Sequence, residues 1–173
     1  MTKRTLSLVA CLSTLVSTAQ TSQNRPTSDP VPPNPYIDRG ACPFECCTYR
    51  NWTAKEEIAL VDQPNGKKVV ARVHKGEEVQ ALTGEVHSIP LRVVAKQDDP
   101  NAGVKAGDVI YVLNYIGEGA WKVWHNGKLV VVENFSDKGP YPRSTWWVKL
   151  KTKSGIVGWT TSHGNFSNQD ACG

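Results

Sequence analysis

The strongest constraint on this chain is a series of short β-branched runs that recur at roughly ten-residue spacing. They are Val-Val-Ala-Arg-Val at 69–73, Val-Gln-Ala-Leu at 79–82, Leu-Arg-Val-Val at 91–94 and Val-Ile-Tyr-Val-Leu at 109–113. Trp-Lys-Val-Trp at 121–124, Leu-Val-Val-Val at 129–132, Trp-Trp-Val-Lys-Leu at 146–150 and Ile-Val-Gly-Trp at 156–159 continue the series. Turn residues separate them, and Asn65-Gly66, Asn126-Gly127 and Ser154-Gly155 read as hairpin turns because these pairs accept positive φ. No window of eleven residues carries a helical period; at most residues 53–57 form one turn, with Thr53 as cap and Glu56 three residues on. The expectation is an all-β sandwich or barrel, and 173 residues confine it to one domain or two very small ones.

Alternation within the last long run divides its side chains. Trp146, Val148 and Leu150 share one face and suit a core, whereas Trp147, Lys149 and Lys151 share the other and set an aromatic ring beside cations.

The amino terminus reads as an export leader. Lys3 and Arg4 precede an apolar stretch over 6–16, and Ser17-Thr18-Ala19 supplies small residues for a cut before Gln20. Leu8-Val9-Ala10-Cys11 also matches a lipoprotein cleavage box, although the apolar core before Cys11 is short for one. No segment reaches the roughly 20 apolar residues of a transmembrane helix, so no membrane span is expected. Residues 20–40, with Pro26, Pro30, Pro32, Pro33 and Pro35, read as an extended, unpacked linker. Loss of the leader leaves eighteen of the twenty basic residues against sixteen acidic ones, a formal net charge of +2 in place of +4. That charge and the leader argue against a nucleic-acid partner. The expected location is secreted, periplasmic or at the cell envelope.

Four of the five cysteines then remain: Cys42, Cys46, Cys47 and Cys172. An even number in an exported chain reads as two disulfides. A bond between adjacent Cys46 and Cys47 is strained, so Cys42 is expected to pair with one of them and Cys172 with the other. The long bridge closes a loop of about 125 residues and contributes up to ~4–5 kcal/mol in the chain-entropy model. A four-thiolate zinc site would use the same residues but lacks the usual Cys-x-x-Cys knuckles. A redox or nucleophilic cysteine would need Cys-x-x-Cys or a poised histidine, and neither pattern is present.

The body of the chain resembles bacterial SH3-like (SH3b) domains. The resemblance rests on Ala59-Leu60-Val61-Asp62-Gln63-Pro64, then Lys75-Gly76-Glu77-Glu78-Val79-Gln80-Ala81-Leu82, and then Trp147-Val148-Lys149-Leu150-Lys151 with Gly158-Trp159-Thr160. It covers residues 58–160. About sixty residues are inserted after Leu82, and Lys105-Ala106-Gly107-Asp108-Val109 with Trp121-Lys122-Val123-Trp124 repeats parts of the pattern inside them. The resemblance implies a small SH3-like barrel with a long β insert at 85–143, or two nested SH3-like barrels, in a disulfide-stapled domain over 41–173. The chain also resembles exported bacterial proteins that carry an amino-terminal Cys-Pro-Phe-Glu-Cys-Cys segment and one SH3-like region. That resemblance implies fold and location but no activity.

Familiar catalytic and phosphate-binding motifs are missing, and no cofactor or metal is expected. His74, His87, His125 and His163 are scattered and read as strand-end or loop residues. Asp98-Asp99 and Glu77-Glu78 are adjacent carboxylates that point apart, and Gly107-Asp108 reads as a turn entering a strand. Trp147, Trp124, Trp121 and Tyr115 are the candidate ligand-binding residues, because aromatic faces take sugar rings, prolines and peptide side chains. The expectation is a non-enzymatic binding module at the envelope, with peptidoglycan or a protein as ligand. A small secreted enzyme using a cysteine or metal at 42–47 and a purely structural protein are the alternatives.

Overall fold

The computed structural model describes residues 30–133 and 139–172. The leader at 1–19, Cys11 and the first half of the expected linker lie outside them. The described residues form twelve β-strands and one short 3-10 turn, with no α-helix among them. None of the described helices is long and apolar enough to cross a membrane.

Eight strands make a curled sheet, the barrel sheet: β1 (Tyr36–Arg39), β2 (Asn51–Ala54), β3 (Ile58–Val61), β4 (Val69–Val73), β5 (Glu78–Ser88), β10 (Ser144–Lys151), β11 (Val157–Thr160) and β12 (Phe166–Ser167). Their order is β12-β2-β5-β10-β11-β3-β4, with β1 also paired to β5. The eleven-residue β5 is the spine. Its first half pairs with β2, its second half with β1, and its other edge with the whole of β10. The other four strands are β6 (Leu91–Val94), β7 (Val109–Gly117), β8 (Ala120–His125) and β9 (Lys128–Val132). They form a separate antiparallel meander in chain order. The protein is therefore an SH3-like barrel sheet carrying a long β insert, and the insert is an open meander instead of a second closed barrel. The insert begins at Ile89, because β5 runs on to Ser88, past the expected boundary at 85. Its two ends are tied where the Ile89 amide donates to the Arg143 carbonyl.

Alternation in β10 sorts its side chains as the sequence requires. Trp146, Val148 and Leu150 are buried in a core with Trp52, Leu60, Val73, Val79, Val86 and Phe166, while Trp147 and Lys149 lie on the outer face. The hairpin residues Asn65, Asn126, Gly127 and Gly155 all take positive φ. Gly158 is required by close packing: a methyl group there would lie 2.7 Å from the Leu60 Cβ and 2.8 Å from a Val70 methyl.

Two expectations change. Residues 53–57 form no helical turn, because Thr53 and Ala54 belong to β2 and pair with Glu78 and β12. Residues 36–39 are not loose linker but strand β1, and Pro32 is buried. Composition alone marks 30–40 as unpacked, yet prolines without N–H groups are compatible with a strap that packs by side chain and carbonyl. This strap joins the two sheets. The Asp38 carboxylate on β1 accepts from Lys122 Nζ on β8 at 2.6 and 2.7 Å and from Asn114 Nδ2 on β7 at 3.0 Å.

The aromatic core gives the fold a pH dependence. Trp146 packs edge-on against Phe44 and Trp52 and lies 4.5 Å from His163. Tyr49 stacks on Trp52, its hydroxyl donates to the Ala41 carbonyl, and burial raises its pKa to about 12. Burial lowers the pKa of His163 from 6.5. Each shift favours the neutral form in the folded state. The Tyr49 contribution is complete below the ordinary tyrosine value of 10 and is lost as the pH rises from there through about 12. The His163 contribution is present above 6.5 and is lost as the pH falls through the lowered folded value. Denaturant unfolding across pH should give a plateau between those limits. Tyr49→Phe should flatten the alkaline limb, and an unchanged limb would refute the assignment.

Candidate binding surfaces

Trp147 lies on the outer face of the barrel sheet, directly across from Glu85 on β5. Two residues on, Lys149 shares that face and pairs across from Trp159 on β11. The Lys149 ammonium sits 5.6 Å from the centre of the Trp159 ring. Trp147 and Trp159 thus stand diagonally on neighbouring strands, within reach of one ligand of several ångströms. The Trp147 indole N–H is buried and meets no acceptor among the described residues, so what solvent reaches of this side chain is carbon. Glu85 carries the polar end of the surface. It accepts from His87 Nε2 at 2.9 Å and faces Arg39 Nε at 3.5 Å, and Asn65 of the β3–β4 turn approaches His87 Nδ1 at 3.5 Å. The result is an aromatic strip with Lys149 between its two indoles and a carboxylate across from Trp147.

The other three predicted residues lie on the meander, and β8 separates them. Trp121, Val123 and His125 share one face, and Lys122 and Trp124 the opposite one. Tyr115 and Trp121 are cross-strand partners with ring centres 5.4 Å apart, and Tyr141 stacks parallel to Trp121 at 5.3 Å. Trp121 also packs on the small core of Val104, Ile110, Val123 and Val132. Trp124 lies on the other side, across from Tyr111 and Leu129, and its indole N–H donates to the Pro30 carbonyl at 2.7 Å. The four predicted residues therefore form three separate surfaces. Only Tyr115 and Trp121 come together.

Trp159, Glu85, His87, Tyr111 and Tyr141 were not singled out by the sequence. Trp159 was visible as part of Gly-Trp-Thr, but its place beside Lys149 depends on strand register, which no local pattern fixes.

The cysteines pair as Cys42–Cys47 and Cys46–Cys172, with Cα atoms 5.5 and 5.6 Å apart. This resolves which partner each takes. The carboxyl-terminal tail reaches Cys46 because it is zipped along residues 46–50. The Thr48 amide donates to the Gln169 carbonyl, the Ala171 amide to the Cys46 carbonyl, and Arg50 Nε to the Asn168 carbonyl. Among the described residues no three His, Cys, Asp or Glu side chains are placed to hold a metal ion. His125, at the end of β8, meets the Asp108 carboxylate at 3.0 Å. Gly107 has φ +94 and Asp108 caps the Lys105 amide, so the pair forms the expected turn into β7.

Comparison with protein-family models, with curated proteins and with solved structures finds no match to this chain.

Proposed function

We propose that the protein is an exported, non-enzymatic SH3-like binding module of the bacterial cell envelope, and that wall peptidoglycan is its ligand. The observation that carries this reading is the outer strip of the barrel sheet, where Trp147 and Trp159 flank Lys149 with Glu85 across the strand. Peptidoglycan offers sugar rings, which stack on indole faces, and carboxylates, which meet an ammonium. The leader-like residues at 1–19 and two disulfides support an oxidising compartment. Pairing of all four cysteines favours binding over a cysteine-based enzyme at 42–47.

The test is co-sedimentation of the mature protein with purified sacculi at moderate salt. We expect retention, and a fall in affinity of about tenfold or more, roughly 1.4 kcal/mol, for Trp147→Ala and for Lys149→Glu. Lys149→Glu keeps the packing of Trp147, so it separates a ligand role from a folding defect. No retention of the folded wild-type protein would remove peptidoglycan and leave an envelope protein as the ligand.

A further inference from the structure

The face of the meander that carries Trp124 is already partly occupied, and its occupant is chemically specific. Pro30 lies on it. The Trp124 indole donates to the Pro30 carbonyl at 2.7 Å, and the Pro30 ring approaches Gly127 so closely that a Cβ on that glycine would sit 3.0 Å from Pro30 Cγ. Gly127 has φ +77, as the β8–β9 turn demands, so turn geometry and access for the proline ring are met by one residue. From there the strap continues through buried Pro32 to Asp38, which is bound to Lys122 on the same face. Strand register places Tyr111, Leu129 and Val131 on this face with Trp124, and Val94 on the adjoining edge strand. Leu129, Val131 and Val94 remain exposed, at 45, 44 and 53%. The strap therefore meets this face at Trp124, Gly127 and Lys122, and leaves Leu129, Val131 and Val94 exposed, with Arg92 beside Tyr111 as an exposed cation.

We infer that this face is a docking site for an extended, proline-rich segment of another protein, and that the chain's own Pro30 is a short internal occupant which such a segment displaces. The chemistry is that of the contact seen. A prolyl residue has no N–H to leave unpaired on an apolar surface, its fixed φ lowers the entropy lost on docking, and its carbonyl is an acceptor for an indole N–H. A longer segment would keep the Trp124 hydrogen bond and add Leu129, Val131 and Val94, which stay exposed beside the internal occupant. This site is on the opposite sheet from the strip assigned to peptidoglycan and stands or falls separately from it.

The probe is a fluorescent synthetic peptide with the sequence of residues 26–35, Pro-Thr-Ser-Asp-Pro-Val-Pro-Pro-Asn-Pro, with a version in which every proline is alanine as control. Anisotropy with the full chain should show weak binding. Pro30→Asp, which repels the internal occupant from the apolar face, should tighten it at least fivefold. Val131→Asp, a change at an exposed residue of β9, should weaken it at least tenfold. The indole N–H resonance of Trp124, assigned by its loss in Trp124→Phe, should shift on peptide addition. Equal binding of the alanine peptide, no response to Val131→Asp, or an unshifted Trp124 resonance in the Pro30→Asp chain would each overturn the inference. Self-association of the Pro30→Asp chain in sedimentation, without peptide binding, would also overturn it and assign the face to a second copy.

Discussion

Replacing Cys46 and Cys172 together by serine will lower stability by about 5 kcal/mol, against about 2 kcal/mol for the Cys42/Cys47 pair. The difference follows from the loops that the bridges close: their sequence separations are 126 and 5. Chain entropy removed from the unfolded state grows with the logarithm of loop length, so the long bridge restrains nearly the whole described chain and the short one only a turn. A loss of 5 kcal/mol corresponds to a fall in Tm on the order of 15 °C for a domain of this size. Paired urea titrations of the two double variants would check this. Equal midpoints, or a larger loss for the short bridge, would show that tail docking on residues 46–50 holds the carboxyl terminus without covalent help.

Asp38→Ala is expected to produce the next largest loss, about 2–4 kcal/mol, or on the order of 10 °C in Tm. The Asp38 side chain is 7% exposed and that of Lys122 26%. Removing the carboxylate leaves a half-buried ammonium and the Asn114 amide without their acceptor, and strands an uncompensated charge between the two sheets. Residual access to water at Lys122 keeps the effect below that of a fully buried pair. The double variant Asp38→Ala, Lys122→Met should recover part of the loss, because an apolar pair no longer strands a charge. Thermal unfolding of the two variants and the wild type measures this. A double variant no more stable than Asp38→Ala would mean that the carboxylate acts through Asn114 and the β1 backbone instead.

These two devices mark where the sequence was legible and where it was not. The barrel strands were readable because each runs as a local β-branched segment between turn residues, and period-two alternation placed Trp146 inside and Trp147 outside. Strands β1, β2 and β12 were not readable. Tyr-Ile-Asp-Arg and Asn-Trp-Thr-Ala carry polar residues and lie beside prolines or cysteines, and they become strands only because β5 is long enough to pair with both. Asp38 looked like one more linker carboxylate, since Lys122 is remote in sequence. Of the candidate site residues, residue type found the aromatics, and alternation in β10 predicted the company of Lys149. Alternation puts Trp121 and Trp124 on opposite faces of β8, but sequence could not tell which of those faces carries the strap, nor that Glu85 and His87 flank Trp147. Those relations depend on the register between strands far apart in the chain.

The meander and the barrel sheet also differ in how they can be reached from the unfolded chain. Every pairing in the meander joins consecutive strands, two of them across tight turns and β6–β7 across residues 95–108, whereas β5 must find β10 from the far side of the entire insert. Contacts between near neighbours form faster than those that close long loops. A meander formed early compacts the insert, and that shortens the loop which β5 and β10 must close before the Ile89 amide can meet the Arg143 carbonyl. The insert that interrupts the barrel in sequence thereby becomes a template for the barrel's central hairpin in time.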